Sequence, residues 1–493
     1  MKRTMTDGKA DFWLFFAFVA WGAVCILPVL GLPLQFVSIL YLVWRCDLKT
    51  LPALMVFMFG RGNLFLYEGV TVIRLGVTLA PTSVFVFAAF FFTLKEVLSR
   101  RYDQGAMRFL LVWFLAIVPA FVMSLTARQN GLVGLWSRPL MLFLVPSVYY
   151  WALSLGRNYR ESSVYFTTRF ILLCFSLCSL QLLKIVQVNS FVLPIVPCML
   201  FFVVYGWKGV SRGWKVLAIF GIIASLAYLL FGRAVRLDAA GKGVGEADKY
   251  GSTFTTMAIL VGTLFLAWCL RRPHGKILVW IPLLMVGINI GFVSYVLSIQ
   301  QGTQYVEATW QPSFESLGER VKYKLWGDRA AVWQMGWEEV QTPPYFFRDL
   351  RQHRVFNRFG ESQMKLLPHN QFLTLLAREG LWLGTVLCVF IVWVWVRAMQ
   401  AMAQGIPDRL MSLCMVPLGL AIFFFVGVTG QSVVSYDLWW DAVATLVFPG
   451  LVYGSERERQ RHARAYGVPF VGHGYGPPLP IPYSMPALGR RGR

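Results

Sequence analysis

His369 stands where a polar stretch ends and an apolar run begins, in the string Leu367-Pro368-His369-Asn370-Gln371-Phe372-Leu373. The string continues through Leu376 to Glu379-Gly380-Leu381 and Gly384. Backbone N–H groups at a helix start carry partial positive charge, which disfavours an imidazolium and keeps a histidine neutral. A neutral imidazole at the mouth of an apolar helix is a usable general base or hydroxyl-positioning group.

Upstream, Arg329 is followed at helical spacing by Trp333 and Trp337. If helical, the two indoles share a face, against a membrane domain or a sugar ring, with Arg329 one turn before them. A guanidinium there can clamp a phosphate bidentately. Further arginines interrupt or flank apolar runs: Arg61, Arg74, Arg138 and Arg169. Charge at membrane depth costs several kcal/mol unless it is paired or faces a wet cavity. Arg74 and Arg138 map, with Arg61, to the same side as the polar stretch that holds Arg329, and Arg236 and Lys249 sit in a connection on that side. Together they form a candidate cationic pocket for an anionic lipid head group. Arg169 falls near the opposite face and snorkels. There is no P-loop, no dinucleotide-binding glycine pattern and no Asp-x-Asp, and Glu338-Glu339 reads as a solvated helix face. No cofactor and no metal site are implied.

These residues need elements to hold them. Residues 299–370 are too long for a structureless connection, so they fold and work. Ser316 and Glu319 have capping-box spacing and predict a helix over 317–341, stopped by Pro343-Pro344. A second helix would line up Arg348, Arg351, Arg354 and Arg358 as one basic stripe. Across the whole chain 57% of the residues are hydrophobic and only 14% charged, against about 45–50% and 25% in a soluble domain. That excludes an ordinary soluble enzyme, a disordered chain and a coiled coil. Apolar runs predict about fourteen helices, among them 30–44, 78–97, 131–155, 276–297, 371–396 and 437–454. The fold class is therefore an all-α polytopic membrane protein. Glycines scattered in these runs mark close packing or breaks.

The net charge of +22 would suggest nucleic acid in a soluble protein; here it lies in alternate breaks. Lys95/Arg100/Arg101, Arg157/Arg160, Arg271/Arg272 and Arg397/Arg409 mark one face, which places both termini in the cytoplasm and residues 299–370 outside. Lys2, Arg3 and Lys9 precede a first apolar anchor from Phe12. All 8 cysteines except Cys46 fall in apolar segments, so neither a disulfide framework nor a zinc site is indicated. The organisation is then membrane helices over 1–298, the external loop 299–370, membrane helices over 371–454, and a basic Pro/Gly-rich tail over 455–493 with no fixed structure.

Arg329-x-x-x-Trp333, Pro343-Pro344, the His369-Asn370-x-x-Leu373 box and Glu379-Gly380-Leu381 leading to Gly384 together resemble the O-antigen ligase and polymerase superfamily of bacterial inner membranes. The resemblance covers about 325–384. It implies a C-type glycosyltransferase-like fold of about 12–14 membrane helices with one large periplasmic loop. It also implies transfer of a glycan from undecaprenyl pyrophosphate to an acceptor hydroxyl, such as the lipid A-core, with inversion and without metal. His369 matches the family's loop histidine and Arg329 its loop arginine, with Asn370, Trp333, Arg348 and Arg351 supporting acceptor or loop. The family's Ser-Arg-Gly is replaced here by Asp248-Lys249-Tyr250-Gly251-Ser252, so Lys249 or Arg236 takes that arginine's place beside Arg74 and Arg138. Ligase, repeat-unit polymerase and protein O-oligosaccharyltransferase share these motifs. A flippase or exporter of lipid-linked sugars would also want a cationic cavity, and a non-enzymatic scaffold of a polysaccharide assembly complex stays open.

Overall fold

The computed structural model describes residues 20, 28–45, 73–74, 78–79, 81–98, 111, 114–115, 118, 146–157, 216, 219, 223, 275–300, 328–342, 353–356, 362–365, 370–403 and 438–465. These residues are helical apart from two short two-stranded ladders. In chain order they form α1 (Pro28–Arg45), β1 (Ile73–Arg74), β2 (Thr78–Leu79), α2 (Pro81–Leu98), α3 (146–157) and α4 (Gly275–Gln300). Then follow α5 (Asp328–Gln341), β3 (His353–Phe356), β4 (Ser362–Lys365), α6 (Gln371–Glu379), α7 (Leu381–Ala403) and α8 (Leu438–Ala465).

Glycine sets the closest helix approach. A methyl group at Gly450 would lie 2.8 Å from the Tyr149 carbonyl oxygen and 2.9 Å from the Ala152 Cβ. At Gly454 it would run into the Leu153 carbonyl oxygen, and at Gly156 into that of Leu451. Gly450-x-x-x-Gly454 on α8 and Gly156 on α3 therefore let two backbones touch. The same contacts give direction: Gly450 meets Tyr149 and Gly454 meets Leu153 and the Arg157 amide, so α3 and α8 run the same way. The Tyr149 ring meets Phe390 and Trp393 of α7, both at 6.1 Å between centroids. Further along, Gln460 Nε2 donates to the Ala401 carbonyl at 3.1 Å, so α7 is co-directional with α8. On α2, Thr93 Oγ1 donates to the Ser147 carbonyl at 3.2 Å, and Ser154 Oγ donates to Glu96 Oε1 at 2.6 Å. Four helices thus point one way. Their basic residues Lys95, Arg157, Arg397 and Arg457 gather toward one end.

The apolar patterning follows from that packing. Leu446, Val447, Phe448, Leu451 and Val452 of α8 are all buried, whereas α1, α4 and α7 expose large apolar side chains, including Trp44, Trp280, Leu284, Trp382 and Val389. Among the described residues one stretch, Leu381–Ala401, is long and apolar enough to cross a membrane, with a mean hydropathy of 2.0; Val279–Tyr295 is a shorter apolar stretch.

Three expectations are corrected here. The run 371–396 is two helices, because Gly380 has φ 86° and ψ 164°, a backbone state that glycine adopts without strain. Its carbonyl then accepts from the Gly384 amide at 2.9 Å and starts α7. The helix predicted to carry the arginine stripe is instead the β3–β4 hairpin, with His353 opposite Lys365 and Phe356 opposite Ser362. Val355 and Phe356 favour strand and Asn357 and Gly360 favour a turn. Arg354 is therefore in a strand and cannot share a helix face with Arg348, Arg351 and Arg358, which lie outside the described residues. Finally, α8 does not end at 454 but continues to Ala465. Ser455, Glu456 and Gln460 are buried there, so tertiary packing rather than propensity holds the extension.

Candidate functional site

The site is built from α4, α5 and α6. Asn370 is the N-cap of α6, with extended backbone (φ −142°, ψ 120°). Its Oδ1 accepts from the Leu373 amide at 3.1 Å, and its carbonyl accepts from the Thr374 amide at 2.7 Å. This satisfies a helix-start donor that would otherwise be orphaned. The other half of the carboxamide turns to α4, where Asn370 Nδ2 donates to Asn289 Oδ1 at 3.2 Å. Both residues are buried, at 1% and 4% exposure. A buried amide pair is strongly directional, because either partner alone would carry the full desolvation penalty.

Around this pair the packing is apolar. Trp333 of α5 is completely buried and clusters with Val340, Leu373 and Ala377, flanked by Val293 of α4 and Leu376. The tryptophan holds the loop helix against α6 and α4. Gly384 lets α7 close on α6: a methyl group there would lie 2.7 Å from both the Leu375 carbonyl oxygen and the Leu376 Cα. At the end of α5, Thr342 Oγ1 donates to the Glu338 carbonyl at 2.7 Å, ahead of Pro343. One turn into α6, Thr374 Oγ1 is fully buried and has no hydrogen-bond partner among the described residues.

Of the residues singled out from sequence, the structure brings Trp333 and Asn370 together through α6. Arg329 is in the first turn of α5, with its side chain outside the described residues. Arg74 is in β1, with its backbone paired to Thr78. His369, Arg138, Arg236, Lys249, Arg348 and Arg351 lie outside the described residues, as do Ser316, Glu319 and residues 317–327 of the predicted loop helix. The two tryptophans do not share an environment: Trp333 is core, while Trp337 is exposed at 38%. The Glu338-Glu339 pair also splits. Glu338 is exposed and accepts from Gln334 Nε2 at 3.1 Å, whereas Glu339 is buried at 4%, which corrects the solvated-face reading for one of the two. Among the described residues no group of three or more His, Cys, Asp or Glu could hold a metal ion.

Asn289 escaped the sequence reading. Its signal was there: a lone amide in an apolar run, between Gly287 and Gly291. It is buried while Ile288 and Ile290 are exposed, so the amide points inward from a helix whose other side faces outward.

The chain matches no protein-family model, no curated protein and no solved structure. The site's chemistry is therefore argued from its own groups. The Asn370 carboxamide is committed to two internal hydrogen bonds, so it positions rather than reacts. What it fixes is the start of α6, one peptide bond after His369.

Proposed function

We propose that the chain is a polytopic glycosyltransferase of the bacterial inner membrane that moves a glycan from undecaprenyl pyrophosphate to an acceptor hydroxyl at the periplasmic face, as an O-antigen ligase does. One observation carries this reading. The helix bearing Arg329 and the helix that begins beside His369 pack on each other through Trp333, Leu373 and Ala377, and the Asn289–Asn370 bond ties them to apolar α4. The exposed apolar side chains of α1, α4 and α7 and the shared direction of α2, α3, α7 and α8 support the membrane setting. Helices that share a direction and finish in basic residues fit an inner-face end, with both chain termini cytoplasmic.

In this mechanism the acceptor hydroxyl attacks the anomeric carbon of the pyrophosphate-linked sugar. The new C–O bond forms as the bond to the pyrophosphate oxygen breaks, with inversion, and the proton passes to His369 or is held by it. Charge develops on the departing pyrophosphate. Fixed guanidinium or ammonium groups are the preorganised term that stabilises it; Arg329 is the first, and Arg74, Arg138, Arg236 and Lys249 are the further candidates. The α5–α6 packing supplies the fixed geometry that such stabilisation needs.

The test is transfer from a lipid-linked glycan in vesicles. His369→Ala and Arg329→Ala, both normally inserted, lower turnover at least about 100-fold, the lower end of general acid–base contributions. Wild-type turnover in both variants would end the assignment. Within the class, a null strain that accumulates lipid-linked polymer and makes rough lipopolysaccharide marks a ligase, while single-repeat caps mark a polymerase. An unchanged lipopolysaccharide with loss of protein glycans marks a protein O-oligosaccharyltransferase.

A further inference from the structure

Asn289 occupies a costly place in α4. From Ile277 to Val293 it is the only side chain with an acid, base, amide or hydroxyl, and it is buried at 4% exposure. Within the apolar stretch Val279–Tyr295 it lies about 15 Å beyond the start and about 9 Å short of the end. The Asn289–Asn370 bond therefore holds the start of α6 level with the interior of that stretch, not with its end. One turn further along α4, Val293 packs against the cluster of Trp333, Val340, Leu373 and Ala377. So α6 runs beside α4 in the same direction and meets it at two heights.

The two contacts constrain different things. An apolar cluster resists separation, but its attraction has no direction, so helices held by it alone can slide or turn. The carboxamides allow neither. Asn370 Oδ1 is taken by the Leu373 amide at 3.1 Å, which fixes the plane of the group. One height and one rotation of α6 then bring Nδ2 within the observed 3.2 Å of Asn289 Oδ1. Packing alone does not call for an amide here; what the pair adds is direction.

We infer that Asn289 is a positioning residue for the proposed transfer. It acts through Asn370 to set where α6 begins, and so where the peptide bond from His369 enters the site. Displacing a reacting group by about 1 Å costs up to about 100-fold in rate, and the height of α6 is the quantity that Asn289 controls. This role rests on the transfer reading above.

The experiment measures transfer from a lipid-linked glycan in vesicles holding the full chain, with kcat and the donor KM determined separately per folded molecule. Asn289→Leu lowers kcat about 10- to 100-fold. The donor KM stays within about two-fold, the pattern of an interaction felt in the transition state. Asn289→Asp keeps an acceptor oxygen for Asn370 Nδ2 and holds kcat within about five-fold of wild type. Leu451→Ala, which removes buried packing from α8, leaves kcat unchanged. A wild-type kcat in Asn289→Leu overturns the role. So does an equal loss in Asn289→Asp or in Leu451→Ala, since either marks general destabilisation. If Asn289→Leu does not fold, Asn289→Gln decides: it keeps the amide but shifts it by a methylene, and a wild-type kcat there overturns the role. A wild type that transfers no glycan ends the transfer reading and this role with it, whereas an active wild type matched by its Asn289 variants ends this role alone.

Discussion

The bundle of α2, α3, α7 and α8 and the site built from α4, α5 and α6 achieve close packing by opposite means. In the bundle, α3 and α8 approach until glycine Cα atoms face carbonyl oxygens, with aromatic rings filling the neighbouring space. In the site, α4 and the start of α6 are joined by one amide pair and covered by one indole. Glycine packing is indifferent to chemistry and tolerates no added atom. An amide pair adds less to stability but fixes which atom faces which. The first kind of contact suits a frame, and the second suits a place where a helix start has to be aimed.

The largest effect tests the frame. Gly454→Leu places a side chain against the Leu153 carbonyl and exceeds the roughly 1–3 kcal/mol of ordinary overpacking, so the variant yields no monodisperse peak in detergent size-exclusion chromatography. A normal peak would mean that the two backbones can separate without loss. Next comes the indole. Trp333→Ala lowers stability by about 3–5 kcal/mol, whereas exposed Trp337→Ala shifts it by no more than about 0.5 kcal/mol. Equal shifts in thermal midpoint would erase the distinction between them. Asn289→Leu strands the Asn370 amide and costs about 1–3 kcal/mol. A cycle with Asn370→Ala should show coupling of about 0.5–3 kcal/mol, and additive losses would dissolve the pair. The smallest change is Thr374→Val, which removes a buried hydroxyl without a partner among the described residues and raises stability by up to about 1 kcal/mol. A fall instead would reveal a partner for that hydroxyl.

Among the described residues, much of the helical framework was legible in the sequence, because long apolar runs announce themselves. Runs 30–44, 78–97 and 276–297 agree with α1, α2 and α4 to within a few residues. Local signals failed where they competed. Four arginines at spacings of three and four read as a helix face, yet His353–Phe356 pairs with Ser362–Lys365 as a strand. Gly380 was read as part of a motif when it was also a break. The charged run after Tyr453 read as the start of a tail with no fixed structure, but burial of Ser455, Glu456 and Gln460 depends on partners on other helices that no local window contains. At the site, Trp333 was singled out by its spacing and Asn370 by the His-Asn box, and both turned out to be anchors. Asn289 was missed because a single amide in an apolar run acquires meaning only through its partner 81 residues away.

The wholly enclosed middle of α8 has a bearing on biosynthesis. This segment is made after every other described element, and it packs against both α3 and α7. Until it docks there, the glycines and carbonyls on its neighbours have nothing to meet. The nascent molecule therefore waits, incomplete, for its late arrival, and a ribosome that stalls upstream of Leu438 releases a product with an open seam for proteases to find.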